Sequence, residues 1–424
     1  MKFHIRNFGC RATQADGAAL AGALTASGHA VAAGCADAEL VILNSCTVTS
    51  GADDDVRQAV RRVRRENPAA QILITGCYAQ RAPAEAAALE GVRWVVGNTH
   101  RAMIPEIVRA ESGSIFVGDI LAQIEFTSAP VLEASEDRTR PNLKIQDGCN
   151  NRCTFCVIPS VRGRSRSAPP DRVVEQVRDL ASRYREVVLS GVNLGRWGRE
   201  AAIGMRLVDL LRRLLAETGI ERLRLSSVEP MDLSDELLEL MATAPRIAQH
   251  VHAPLQSGSD AVLRRMRRWY RARHYADRIL KARQWMPDAA IGADVMTGFP
   301  GETEAEFETT REFVEGLPFT YLHVFTYSAR PGTPAAAMPD QVPARERKRR
   351  NRVLRELAAA KNLAFRRGMV GKRLSAVTIE DGSVALSGNY LKIELVTRME
   401  PNRLVEVEIL GLGEDMAGVR GEVR

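Results

Sequence analysis

The longest apolar runs of this 424-residue chain fall far short of the ~20 residues that span a bilayer, which excludes a helical membrane protein. The opening stretch Met1-Lys2-Phe3-His4-Ile5-Arg6-Asn7 has no apolar signal core. The cysteines number seven, an odd count in a large chain, which argues against an extracellular disulfide framework. Together these absences predict a cytoplasmic protein with no membrane partner. Nor does composition point to disorder. The chain is 45% hydrophobic and 26% charged, and its length predicts two or three domains with sizeable cores.

Acidic charge is the scarcer sign, with 52 Asp and Glu against 59 Lys and Arg. The basic excess is patchy. Residues 345–373 hold twelve basic residues against Glu346 and Glu356, and residues 264–283 hold nine against Asp277. Such patches suit a polyanion, nucleic acid above all. Solvated helix faces with a few ion pairs are the plainer alternative.

What the chain does concentrate is thiols. Cys149, Cys153 and Cys156 are spaced C-x3-C-x2-C in Asp147-Gly148-Cys149-Asn150-Asn151-Arg152-Cys153-Thr154-Phe155-Cys156. No His or further Cys lies close enough in sequence to complete a zinc knuckle, the bland alternative. A four-iron cubane takes four outer ligands, usually Cys. Three cysteines would leave one iron open, as catalytic metal sites do.

Around this loop the segment 143–328 repeats one unit six times. β-branched apolar runs at Leu143–Gly148, Glu186–Gly191, Arg222–Ser227, His250–Gln256, Ile291–Phe299 and Tyr321–Ser328 alternate with helix-like stretches. The pattern predicts a partial (βα)6 barrel, two units short of closure, with its site at the C-terminal strand ends. The cysteine loop follows the first of these strands. Gly191, Asn193, Glu229, Gln256 and Ser257 fall at strand ends, where they read as cofactor-binding residues or as ordinary turn and cap residues. His250 and His252 alternate on one strand face and read as barrel-core residues.

The first 110 residues predict a second α/β unit with strands Lys2–Phe8, Glu39–Asn44, Gln71–Thr75 and Arg93–Val96. Helices fit Thr13–Ser27 and Asp53–Glu66, the latter opening on an acidic first turn. Cys10, Cys46 and Cys77 each lie just past a strand of this unit, where parallel sheets gather their ligands. They read as a second three-thiol site, against the alternative of three small buried residues. Cys35 breaks the pattern and reads as a non-ligand. From Arg366 onward, short strands at Val377–Ile379, Tyr390–Val396 and Leu404–Leu410 between turn signals predict a small antiparallel β-barrel. The expected organisation is an N-terminal α/β domain over 1–112, a linker over 113–138, the barrel domain over 139–365 and the small β-barrel over 366–424.

These pieces together resemble the radical S-adenosylmethionine (SAM) methylthiotransferases over nearly the whole chain. The resemblance rests on Phe8-Gly9-Cys10-Arg11, Asn44-Ser45-Cys46-Thr47, Thr75-Gly76-Cys77-Tyr78-Ala79-Gln80, Lys144 through Gly163, Leu225-Ser226-Ser227-Val228-Glu229-Pro230, Pro254-Leu255-Gln256-Ser257-Gly258 and Gly298-Phe299-Pro300-Gly301-Glu302. It implies a SAM-binding 4Fe-4S cluster on Cys149, Cys153 and Cys156, and a second 4Fe-4S cluster on Cys10, Cys46 and Cys77. It also implies a C-terminal TRAM domain, associated with RNA binding, an external electron donor and an unidentified sulfur donor. The motifs Phe8-Gly9-Cys10, Gly76-Cys77-Tyr78-Ala79-Gln80 and Lys144-Ile145-Gln146-Asp147-Gly148-Cys149 look most like the MtaB type. That type adds a methylthio group to carbon 2 of N6-threonylcarbamoyladenosine in tRNA. The same chemistry on isopentenyladenosine tRNA or ribosomal protein S12 is the near alternative. A non-enzymatic iron–sulfur protein that binds RNA or senses redox state is the far one. Arg162, Arg164 and Arg166, in the basic run after the cysteine loop, read as contacts to the tRNA backbone. Thr13, where the family usually has Asn, Ser45, where Thr is common, and Asn193, where this type often has His, depart from the pattern without removing a ligand.

Overall fold

Leu40–Ser45 is buried along its whole length, as a strand covered on both faces must be. It lies inside a six-stranded parallel sheet ordered Ala30–Val31, Lys2–Asn7, Leu40–Ser45, Gln71–Gly76, Val92–Val96 and Ile115–Phe116. The computed structural model describes residues 1–110, 113–126, 131, 139–200, 203–413 and 418–424. One sheet face packs Val41, Leu43 and Ile74 under Val56, Val60 and Val63 of the helix Ser50–Glu66. The other packs Leu40, Ile42 and Leu73 against Leu20 and Leu24 of the helix Arg11–Ala26. The helix Ser50–Glu66 begins before the expected Asp53, because Thr49 Oγ1 caps Ala52 N–H at 3.2 Å. Asp53 then turns inward rather than serving the helix dipole alone. It is 3% exposed and pairs with Arg81 and Arg330. The sixth strand comes from the stretch expected to be a linker, much of which lies outside the described residues.

The central domain holds the six parallel strands expected: Asn142–Asp147, Glu186–Gly191, Arg222–Leu225, His250–His252, Ala290–Thr297 and Tyr321–Thr326. They fall into two sheets of three parallel strands, joined by a bridge between Leu223 and Ile247. Arg166–Ser167 adds an antiparallel edge beside the first strand. The barrel is therefore open, and the helix Arg11–Ala26 of the N-terminal domain lies against its first two strands. Ala19 joins the barrel core, Gln14 meets Asn142, and Asp16 meets Lys144. Small residues on that helix permit the close approach.

The C-terminal strands Arg373–Ile379, Val384–Ser387, Lys392–Leu395, Leu404–Leu412 and Val419–Val423 close into a barrel. It departs from the expected antiparallel form in one pair, Lys392–Leu395 with Val419–Val423, which runs parallel. The 25-residue helix Ala344–Gly368 leads to it along the last strand of the central domain. The small barrel docks at the N-terminal strand ends of the central barrel, opposite the cysteine loop. Arg224 donates to the carbonyls of Ser387 and Gly388, and Arg222 to Ser375 Oγ. Both arginines are held by Glu186, which is fully buried and also pairs with Arg140.

Burial alone would raise the Glu186 pKa, but Arg224 and Arg140 bring it down to about 2. The unfolded chain binds this proton more tightly, so stability rises with pH across this window. The contribution is fully present above about pH 4.5 and lost as pH falls toward 2. Glu186→Gln leaves the buried arginines without their counter-charge and is expected to cost about 3 kcal/mol. Denaturant unfolding at pH 7 checks this, and the gap to wild type should narrow at pH 3.

Candidate functional site

The cysteines of the N-terminal domain are placed by three neighbouring parallel strands, which lie ~4.8 Å apart. Cys46 directly follows Leu40–Ser45, Cys77 directly follows Gln71–Gly76, and Cys10 follows Lys2–Asn7 after a short turn. Gly9 and Gly76 both have φ of +94°. A Cβ on Gly9 would lie 2.8 Å from Cys46 Sγ, and one on Gly76 would lie 2.5 Å from the Ser45 carbonyl. Only glycine lets the chain turn there. Ser45 keeps the hydroxyl role expected of Thr: it donates to the Thr75 carbonyl and accepts from Tyr78 N–H. Burial, with Cys77 and Cys10 as neighbours, pushes the Cys46 thiol up to about 12. Cys35 sits apart, in the turn Cys35–Asp37 beside Glu66.

The second trio lies in the loop after Asn142–Asp147. Gly148 has φ +70°, and a Cβ there would lie 2.0 Å from the Arg164 carbonyl. Cys149 Sγ accepts from Asn151 N–H at 3.4 Å and from Asn193 Nδ2 at 3.8 Å. Cys153 Sγ accepts from Arg268 Nη1 at 3.3 Å. Burial pushes the Cys156 thiol up to about 12. Buried thiols that resist ionisation are poor nucleophiles, but a bound cation makes their thiolates favourable. The seventh cysteine, Cys35, belongs to neither trio, and among the described residues neither trio forms the compact group of Cys, His and carboxylate ligand atoms that zinc takes. Each donor set fits a 4Fe-4S cluster with one iron left open, and fits zinc poorly.

The two trios share a wall. Cys77 packs on Val157 and Val161, which follow the second trio in sequence. Asn98 Nδ2 reaches both Cys77 Sγ at 3.8 Å and the Val161 carbonyl at 2.6 Å. Arg162, expected on RNA, is 1% exposed and lies in this wall. It donates to Asp16 and Asp147, each at 2.9 Å, and to Thr13 Oγ1 at 3.4 Å. Thr13 Oγ1 in turn lies 3.6 Å from Cys10 Sγ. Burial disfavours the Arg162 charge, but Cys77, Asp147 and Asp16 hold its pKa well above the usual value. Arg166 is 5% exposed beside Asp147, which takes it from the RNA as well. Arg164 alone of the three is exposed.

The expected cofactor residues separate. Asn193 Oδ1 and Gln256 Oε1 are buried without a hydrogen-bond partner among the described residues, as are Ser190 Oγ and Ser226 Oγ, which sequence reasoning missed. Ser190 and Ser226 sit at or just past the C-terminal ends of their strands, level with the cysteine loop. Four unpartnered polar atoms fit a polar cofactor such as SAM. Gly191 is small for another reason: a Cβ there would lie 2.9 Å from Gln146 Cβ. Ser257 Oγ is committed to Thr310 at 3.0 Å and to Ser259 N–H, which makes it a turn residue. Glu229 pairs with Arg268 and so steadies the donor to Cys153. His250 and His252 are buried in the barrel and share the Tyr321 hydroxyl at 2.6 and 2.9 Å. His252 and His323 also flank Asp294, whose pKa their hydrogen bonds hold below the carboxylate range against the effect of burial.

Residues 143–314 match the Radical SAM superfamily, and residues 2–97 match a family described as Uncharacterized protein family UPF0004. Threonylcarbamoyladenosine tRNA methylthiotransferase MtaB of Aquifex aeolicus is 38% identical over 414 residues, covering 96% of this chain and 100% of the relative. The chain belongs to the radical-SAM tRNA methylthiotransferases. The MtaB of Bacillus subtilis is 42% identical over 77% of this chain and 73% of its own. A tRNA-2-methylthio-N(6)-dimethylallyladenosine synthase of Parafrankia sp. is 37% identical over 89% of this chain and 78% of its own. Among solved structures, the radical SAM methyltransferase TsrM of Kitasatospora setae shares the fold, with a TM-score of 0.53. It is 17% identical and covers 70% of this chain and 66% of that chain. As a radical-SAM methylthiotransferase the enzyme uses SAM and a 4Fe-4S cluster. Among the described residues no helix is long and apolar enough to cross a membrane.

For this methylthiotransferase the Gly148 turn should be indispensable to the cysteine loop. Gly148→Ala adds a backbone clash and about 1–3 kcal/mol of strain at positive φ. Anaerobically reconstituted Gly148→Ala protein is expected to carry less iron per chain than wild type while keeping its far-UV circular dichroism.

Proposed function

We propose that this enzyme adds a methylthio group to carbon 2 of N6-threonylcarbamoyladenosine in tRNA, using two 4Fe-4S clusters. In this reading Cys149, Cys153 and Cys156 hold the SAM-binding cluster, and Cys10, Cys46 and Cys77 hold the second. The observation that carries it is the shared wall between the two thiol trios, where Cys77 packs against Val157 and Val161. The substrate reading is supported by the MtaB relatives, which include one aligned over its full length.

Cys149, Cys153 and Cys156 would hold a cluster that, with SAM bound and one electron from an external donor, would supply a 5′-deoxyadenosyl radical able to take hydrogen from an aromatic carbon that has no useful acidity. The chain's own residues position and shield. Arg268, braced by Glu229, donates to the Cys153 sulfur. Asn193 offers its amide N–H to Cys149 and keeps its oxygen for the cofactor, alongside Gln256, Ser190 and Ser226. Phe155 packs edge-on to Phe299 at 6.4 Å, beside Met266, Met296 and Tyr327, and keeps water from beneath the loop.

The helix Ala344–Gly368 divides its basic residues between two tasks. Arg350 is buried against Glu302, and Arg349 pairs with Glu304 and Glu346. Arg345, Lys348, Arg352 and Arg355 are exposed at helical spacing on one stripe. Lys348, Arg352 and Arg355 line a groove of about 360 Å³ with Thr326, the last residue of the sixth barrel strand. This stripe is the natural track for a phosphate backbone.

Nucleoside mass spectrometry of tRNA from cells with and without the gene tests the substrate. Loss of 2-methylthio-N6-threonylcarbamoyladenosine, with its precursor accumulating, is expected; unchanged tRNA would reject it. The Cys10→Ala/Cys46→Ala/Cys77→Ala protein tests the cluster count. Iron should fall from about eight to about four per chain. SAM cleavage to 5′-deoxyadenosine should persist while methylthiolation disappears.

A further inference from the structure

Trp269 is 74% exposed, an unusual state for the largest side chain in the protein's alphabet. Its two neighbours point the other way. Arg268 reaches Glu229 and Cys153. Tyr270 is 4% exposed, donates to the Leu255 carbonyl at 2.7 Å, and lies under the Arg268 guanidinium at 4.9 Å. The backbone of this loop is also tied to the cysteine loop: Thr154 N–H donates to the Met266 carbonyl at 3.0 Å, and Thr154 Oγ1 to the Arg265 carbonyl at 2.9 Å. Trp269 is thus held outward on an anchored segment beside the second cysteine trio.

The charges around it are equally specific. Of the basic run 264–283, Arg265 pairs with Glu306, and Arg278 and Lys281 with Asp235. Arg264, Arg267, Arg271 and Arg273 are exposed and make no ion pair among the described residues. Arg267 also holds φ at +54°, a costly conformation for an exposed non-glycine residue. Three of these unpaired cations, Arg264, Arg267 and Arg271, lie within five residues of Trp269, while Arg278 and Lys281 pair farther along the helix Ala272–Trp285.

We propose that Trp269 is a stacking platform for an unpaired base of the RNA substrate, with Arg264, Arg267 and Arg271 taking the adjoining phosphates. Unpaired bases are read by stacking on aromatic side chains, and flanking cations add salt-dependent affinity. A single surface tryptophan needs no partner by itself. One fixed outward beside a reactive loop, amid unpaired cations, matches the chemistry of a looped-out base. The assignment rests on the tRNA reading above and deepens it by naming a contact.

The test uses reconstituted holoenzyme and an anticodon stem–loop RNA, with a fully paired duplex of the same length as control. Trp269→Ala is expected to weaken stem–loop binding about tenfold, with the duplex affinity and the salt slope unchanged. Trp269→Phe should keep most of the affinity. Arg267→Ala should reduce the salt slope for both RNAs. Trp94 and Trp197 are fully buried and Trp285 is only partly exposed, so stem–loop RNA should protect the part of the fluorescence that a soluble quencher removes from wild type but not from Trp269→Ala. Wild-type stem–loop affinity in Trp269→Ala, or an equal loss for stem–loop and duplex, overturns the stacking role alone. Failure of the wild-type enzyme to bind any RNA would overturn the tRNA reading, and this inference with it.

Discussion

Arg162 is buried where two domains meet, and it hydrogen-bonds a carboxylate from each: Asp16 of the N-terminal domain and Asp147 of the barrel. Lys144 bridges the same two carboxylates, Arg101 joins Asp16, and Arg166 lies beside Asp147. Four cations thus face two carboxylates in a region shut off from water. Such an excess is expensive unless further negative charge completes it. The nearest candidates are the thiols. Asp147 immediately precedes Gly148 and Cys149, and Arg162 reaches Cys10 through the Thr13 hydroxyl. Thiolates that carry metal are anionic, and they would bring the region toward balance. The charge network and the two trios make sense as one electrostatic unit.

The same network sets the domain arrangement. The central barrel lacks two strands, so its open side must be covered. The helix Arg11–Ala26 does so with Ala18 and Ala19 against the barrel core and Asp16 against Lys144. That helix starts at Cys10's successor, so covering the barrel also fixes where Cys10 stands. At the far rim, Arg330 follows the sixth strand and locks onto Asp53 and Thr47, one residue beyond Cys46. Two of the three N-terminal cysteines are thus tied to opposite sides of the barrel mouth.

Local signals were legible, and long-range partners were not. The six barrel strands could be read because buried parallel strands are continuous apolar runs bounded by turns. The cysteine trios could be read because one is spaced locally and the other recurs at strand ends. Strands such as Ile115–Phe116, two residues long, and Val419–Val423, interrupted by Arg420 and Gly421, carry too little periodicity to register. Arg162 looked like an RNA contact because its run, Arg162-Gly163-Arg164-Ser165-Arg166, reads as a basic patch. Its partner Asp16 lies 146 residues away, so only the folded chain shows that the charge is already taken. Ser190 and Ser226 escaped because a serine at a strand end is unremarkable until its hydroxyl is found buried and unpartnered.

The placement of the small C-terminal barrel changes where RNA contact is to be sought. Its charges balance, nine basic against nine acidic over 366–424, and its inner rim is consumed by the Arg222, Arg224 and Glu186 cluster. It caps the N-terminal strand ends, whereas both trios lie at the opposite end. A base that reaches the cysteine loop must approach from that opposite end, past the exposed stripe of the helix Ala344–Gly368 and the Trp269 loop. Each of the two basic runs visible in the sequence leaves exposed cations near this approach: Lys348, Arg352 and Arg355 beside Thr326, and Arg264, Arg267 and Arg271 beside Trp269. The C-terminal barrel also reaches inward: Tyr390 stacks on His250 and accepts from Arg11, the residue after Cys10, so this domain braces the central barrel from below.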